Sequence, residues 1–222
     1  ILDRGLEELL EKQEQLNKEG EKQYRLPRMR LEKTVYIEET DTYLIPGGEY
    51  TATVTGYDWE YVNLKGGHAE GGTLTLLWHE RAGLVICGGM SQYTMREANN
   101  MQLPRFGRHE CVTPRLECTA LDGKTVYSSL YDGRCEMIFS ETGAGTVIAV
   151  KGRLTDINHH ILEDGGAYDA EYSFEAGGVR VRINVNQNAR FILPLVSGST
   201  EKAVWDERGM TIEKRASRVH VN

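Results

Sequence analysis

The sequence predicts an all-β fold, a large antiparallel two-sheet β-sandwich of the supersandwich type, preceded by one N-terminal helix. Three observations carry that expectation. From Arg30 onward the apolar spacing changes from a helical period to a strand-like one. Turn signals then recur every ten residues or so. The strand-like stretches, about a dozen of them, are not interleaved with helical ones, which favours antiparallel pairing over a parallel βαβ sheet. The expected organisation is therefore a helix and linker over residues 1–29 and a β-sandwich over residues 30–222.

The elements follow in order. Leu2, Leu6, Leu9, Leu10 and Leu16 fall at helical spacing among charged residues, which predicts one amphipathic helix reaching about Gly20. Its simplest role is to pack on a neighbour. The charged stretch that follows contains Pro27 and suits a linker. Strands are expected over 31–38, 43–46, 50–57, 73–79, 84–87, 125–130, 135–140, 146–151, 168–174, 179–185, 191–195 and 210–216. Pro46-Gly47-Gly48, Asp122-Gly123, Asp132-Gly133, Gly143-Ala144-Gly145, Asp164-Gly165-Gly166 and Gly177-Gly178 mark the turns between them. Along 179–185, Val179, Val181, Ile183 and Val185 alternate with Arg180, Arg182 and Asn184, so one face is buried and the other wet. There is no repeat of fixed period, which disfavours a propeller or solenoid.

Composition narrows the function. With 26 basic against 33 acidic residues the net charge is −7, and no basic block interrupts the chain. A nucleic-acid or anionic-membrane surface is not expected. No apolar run approaches the roughly 20 residues that cross a bilayer. Cys87, Cys111, Cys118 and Cys135 lack the paired spacing of a zinc site and are expected mostly as free thiols. Both ends of the chain look cut, so a leader segment is left open. The signatures of nucleophile-elbow hydrolases, P-loop enzymes and dinucleotide-binding enzymes are missing from the sequence.

What remains centres on residues 66–93, GGHAEGGTLTLLWHERAGLVICGGMSQY. Glycines frame an imidazole, His68, and a carboxylate, Glu70, just before a strand. Such a pair can hold a metal or orient one another, and an exposed turn histidine is otherwise simply solvated. The run GHAEGGTLTLLW from Gly67, followed by a turn, a second strand and CGGMSQY, resembles the heparinase II/III-like polysaccharide lyases, whose sandwiches open a strand pair with a GHxHxD-like loop. His68 takes the place of the first histidine, whereas Glu70 and Gly72 stand where the second histidine and the aspartate are expected.

The resemblance implies several expectations. An α-helical toroid would precede the sandwich, and this chain would be the C-terminal part of a longer protein, periplasmic or extracellular. The cleft between the two would grip an acidic polysaccharide and cleave it by β-elimination. That reaction needs a base and a group that neutralises the uronate carboxylate. His68 and Tyr93 are the catalytic candidates; Glu70, Trp59, Arg96 and Asn99 are candidates for sugar binding. A divalent metal on His68 and Glu70 is the one cofactor implied. The fragment alone is expected to be inactive. The alternative is a non-catalytic carbohydrate-binding or scaffold sandwich whose histidine loop is degenerate.

Two further groups have plain explanations beside functional ones. Tyr57, Trp59 and Tyr61 alternate along one face, which suits either sugar stacking or the sandwich core. His159 and His160, between Asp156 and Asp164, suit either a metal site or a solvated hairpin loop.

Overall fold

The computed structural model describes residues 31–56, 71–89, 112–214 and 216–222. The expected N-terminal helix, residues 57–70, and residues 90–111 lie outside the described residues. Lys33–Asn222 clusters as one unit. Its architecture is all-β and antiparallel, with two 3-10 turns as its only described helical segments.

The first sheet is a meander of β1 (Val35–Ile37), β2 (Thr42–Pro46), β3 (Tyr50–Thr55), β4 (Thr73–His79) and β5 (Gly83–Cys87), ordered as in the chain. Strand β3 shows why it forms: Tyr50, Ala52 and Val54 are buried on one face. Its threonines occupy the other, where Thr53 and Thr55 hydroxyls meet Thr75 Oγ1 at 2.7 and 2.9 Å. β-Branched polar side chains of this kind fit a half-buried pleat. Register shifts at Thr53/Val54 and at Leu77/Trp78 interrupt the alternation along β4.

Next come β6 (Arg115–Thr119) and β7 (Val126–Ser128), a hairpin closed by Asp122. The Asp122 carboxylate accepts from the Lys124 and Thr125 amides at 2.8 Å and from the Thr125 hydroxyl at 2.6 Å. These bonds, the Thr125 hydroxyl foremost, hold its carboxyl below the usual range. The second large sheet is β8 (Glu136–Thr142), β9 (Gly145–Arg153), β10 (Ala167–Glu175) and β11 (Gly178–Val185), again in meander order. Tyr168, Ala170, Tyr172 and Phe174 point one way from β10 and are all buried. In β11 the alternation expected from sequence holds, with the valines and Ile183 half-buried and Arg180, Arg182 and Asn184 exposed.

Strand β12 (Arg190–Ile192) then pairs with β6, and β13 (Lys202–Asp206), β14 (Gly209–Glu213) and β15 (Arg218–Val221) form a last three-stranded sheet. The hydrogen-bonded strands thus sort into four sheets where the sequence suggested two. The reasons are local. β12 stops at Ile192 because Pro194 offers no amide to a ladder. The expected strand 210–216 breaks after Glu213, where the Lys214 amide donates to Ser217 O, and the chain resumes as β15. β7 runs directly into a 3-10 turn at Ser129–Tyr131.

The two large sheets nonetheless share one core. Ile45, Ala52, Val54 and Leu74 from the first cluster with Ile148, Val150, Tyr168, Tyr172 and Phe174 from the second, and Leu116 and Cys118 of β6 join them. Tyr50 ties the layers by polar bonds, its hydroxyl donating to Glu175 O at 2.8 Å and Gly178 O at 3.2 Å. Cys87 and Cys118 are free thiols, Cys118 buried and Cys87 half-buried, and Cys111 lies outside the described residues. Among the described residues no helix is long and apolar enough to cross a membrane.

Candidate functional site

All six sequence-derived site residues, His68, Glu70, Trp59, Tyr93, Arg96 and Asn99, lie outside the described residues, as do Tyr57 and Tyr61. Their immediate flanks are described, and these flanks meet. β3 and β4 pair as far as Thr55 and Thr73, so residues 57–70 leave and rejoin the first sheet at that end. Residues 90–111 follow Gly89 and precede Val112 and Thr113. The fully buried Thr113 clamps the two flanks together, its Oγ1 accepting from the Gly89 amide at 2.9 Å and donating to Gly89 O at 2.6 Å. The hydroxyl of Thr73 donates to Pro114 O, joining the foot of one segment to the foot of the other.

The foot of the histidine loop is fixed from beneath by the second large sheet. Gly71 and Gly72 both adopt left-handed backbone, at φ +73° and +62°. A Cβ on Gly71 would run into the backbone of Ser129, its carbonyl carbon at 2.8 Å. A Cβ on Gly72 would strike both methyls of Val150, Cγ2 at 2.8 Å. Position 72 therefore holds glycine for steric reasons, since an aspartate there would need a different backbone and a retreat of β9.

Tyr168 is the anchor. Its hydroxyl donates to Gly71 O at 2.9 Å and lies 3.3 Å from Asp132 Oδ2. Asp132, expected from sequence as part of a hairpin turn, is instead 5 % exposed. It accepts from the Arg153 amide at 2.7 Å and the Arg134 amide at 3.2 Å. Burial pushes the Asp132 carboxyl above its usual range, with those amides and the Tyr168 hydroxyl pulling against it. Burial likewise raises the Tyr168 phenol well above its ordinary value, so it stays a donor. No sequence pattern announces this pair, because its members stand 36 residues apart on different elements.

Beside Asp132 opens a polar cleft of about 600 Å³, lined by Tyr131, Arg134, Lys151, Arg153, Asn158 and His159 among others. His159 sits in left-handed backbone at φ +65°. Two bonds hold it there: its amide donates to Asp156 O at 2.9 Å, and its Nδ1 lies 2.8 Å from Tyr131 O. His160 turns the other way, its amide and ring nitrogen bonding the Asp156 carboxylate at 2.9 and 3.0 Å. Burial would raise the Asp156 carboxyl, yet the bonds from His160 and Asn158 prevail and lower it. The two imidazole rings thus take separate partners, and among the described residues no group of three or more His, Cys, Asp or Glu could hold a metal ion.

The fold and these loop feet define an all-β antiparallel domain with a polar cleft beneath one end of its first sheet, and comparison gives its class. The chain belongs to the family described as the ulvan lyase C-terminal domain, which it matches over residues 34–222. It is therefore a polysaccharide-lyase C-terminal domain. A broad-specificity ulvan lyase from Formosa agariphila is 28 % identical over 196 residues, covering 85 % of this chain. The chain spans only 30 % of that relative's length. No solved structure matches it.

Proposed function

We propose that this domain forms one wall of the sugar cleft of a polysaccharide lyase related to the heparinase II/III-like enzymes, acting on an acidic polysaccharide, with ulvan as the first substrate to test. In β-elimination a base removes the proton beside the uronate carboxylate, the glycosidic C–O bond breaks, and a double bond forms in the sugar that held the proton. The leaving oxygen takes up a proton. His68 and Tyr93 are the proposed proton-transfer groups. Glu70, Trp59, Arg96 and Asn99 are the proposed sugar contacts, and a preceding helical domain supplies the opposite wall.

The observation that carries this reading is the junction of the two loop feet through Thr73 and Pro114. Residues 57–70 and 90–111, which contain every one of these candidates, spring from one end of the sheet. The glycine at 72 removes one expected metal ligand for steric reasons, so no step here is routed through a metal.

The test is a continuous ultraviolet assay for unsaturated uronate product, with the longer parent enzyme and ulvan beside other uronate polysaccharides. Substitution His68→Ala is expected to slow product formation by about 10²–10⁴-fold, the usual contribution of a general acid or base. The domain on its own is expected to give no product. An unchanged rate in His68→Ala, or no product from the parent on any uronate polymer, sinks the catalytic reading in favour of a non-catalytic binding scaffold.

A further inference from the structure

The cleft beside Asp132 has a composition that the fold does not require. Lys151 and Arg153 alternate along β9 on the face opposite the buried Ile148 and Val150, so both project away from the core. Among the described residues neither side chain forms a salt bridge. The cleft's acidic members are two. Asp132 is buried and committed to the Arg153 and Arg134 amides. Glu136 is exposed and stands opposite Lys151 in the β8–β9 ladder. Asp169 flanks Lys151 from β10, while Arg153 faces only Ala167 there. At its other end the cleft holds Arg153, whose charge acts on the buried Asp132, beside Arg134 and His159.

Two independent observations point to a ligand there. Thr155 lines the cleft and is 4 % exposed, yet its Oγ1 has no hydrogen-bond partner among the described residues. A buried hydroxyl is ordinarily paired, so a group presented from the cleft would satisfy it. His159, next along this rim, is held in left-handed backbone that most residues avoid, and such strain gathers at functional sites. The volume, about 600 Å³, lies within the range of small-ligand pockets.

We propose that this cleft is a subsite for one anionic sugar unit, with Arg153 and Lys151 meeting its acidic substituent and Asn158, Tyr131 and Thr155 meeting its hydroxyls. The substituent is a uronate carboxylate or a sulfate ester, each of which presents a pair of anionic oxygens that a guanidinium grips with two donors. The proposal rests on the reading that the protein handles an acidic polysaccharide. It concerns binding alone.

The test is amide chemical-shift mapping on the isotopically labelled 222-residue chain, titrated separately with glucuronate, glucose 6-sulfate and glucose. The Arg134, Arg153, Asn158 and His159 amides are expected to shift with at least one acidic sugar and not with glucose. Shifts with glucuronate alone identify a carboxylate subsite, and shifts with glucose 6-sulfate alone a sulfate-ester subsite. Arg153→Ala is expected to weaken the binding by about tenfold, the scale of one charge-assisted bond. Its backbone amide, which holds Asp132, is untouched. Glu136→Gln removes the exposed negative charge and is expected to tighten binding by about twofold.

Equal shifts with glucose, no shifts with any of the three, or affinities unmoved by both substitutions overturn the subsite. The lyase reading fails separately, on the product assay with His68→Ala. A silent product assay with intact acidic-sugar binding leaves the subsite standing, and an active lyase whose cleft ignores all three sugars removes it.

Discussion

Tyr168→Phe tests the anchor beneath the histidine loop with the smallest possible change. The ring stays, and only the hydroxyl that bonds Gly71 O at 2.9 Å and approaches Asp132 Oδ2 at 3.3 Å is removed. Both acceptors are buried, so neither regains a full water partner. At about 1 kcal/mol for each hydrogen bond, the expected loss is about 2 kcal/mol. For a domain of this size that lowers Tm by about 4–8 °C.

The effect should also depend on pH, with a definite sign. The folded Asp132 carboxyl titrates above its unfolded value because of burial. Its contribution to stability is thus full below the unfolded pKa and is lost as pH rises through the folded one. The Tyr168 hydroxyl counteracts that rise, so deleting it lifts the folded pKa further. The penalty of Tyr168→Phe should therefore be greater at neutral pH than below about pH 4. Urea denaturation at both pH values, with hydrogen exchange at the Gly71–Thr73 amides, measures it. A loss under about 0.5 kcal/mol, or the same loss at both pH values, would refute the account of Asp132 and Tyr168 as a coupled pair.

Two other substitutions probe the supports on either side. Gly72→Ala combines left-handed strain with a clash against Val150 and should cost about 2–4 kcal/mol, whereas Gly123→Ala, at φ +67° with open space around it, should cost only about 1. Equal midpoints in urea for the two would show that Val150 yields and that position 72 is not sterically closed. Lys214→Ala should cost about 2 kcal/mol in calorimetry. Its buried ammonium donates to Val196 O at 2.8 Å and Leu84 O at 3.3 Å, and the change leaves both carbonyls without that donor. A Tm indistinguishable from the parent chain would show that water replaces it freely.

The sequence carried the large sheets nearly to their ends. The strand expected over 73–79 is found there, and 179–185 is extended by a single residue. It was less informative where pairing is short. Strand β6 carried a usable signal, since Asp122-Gly123 marks a hairpin whose second arm alone was expected. Strand β13 carried little, because all five of its residues are exposed. Gly71 and Gly72 were legible in the sequence as a turn before a strand, and the cleft at Arg153 was not, because its members come from three separated stretches. The pair His159-His160 suited either a metal site or a solvated loop, and only the fold showed each ring taking its own partner.

Local chemistry, then, determined the all-β class, the meander of hairpins and the faces of the long strands, because alternation and turn glycines act between neighbours in the chain. Tertiary structure decided the rest. Four sheets rather than two follow from where Pro194, Lys214 and the Ser129–Tyr131 turn interrupt the ladders. Asp132 became a buried carboxylate under the foot of a distant loop because packing, and not sequence spacing, brought Tyr168 and Gly71 to it. Burial and long-range hydrogen bonding depend on which surfaces meet, and that is settled only when the sheets close on one core.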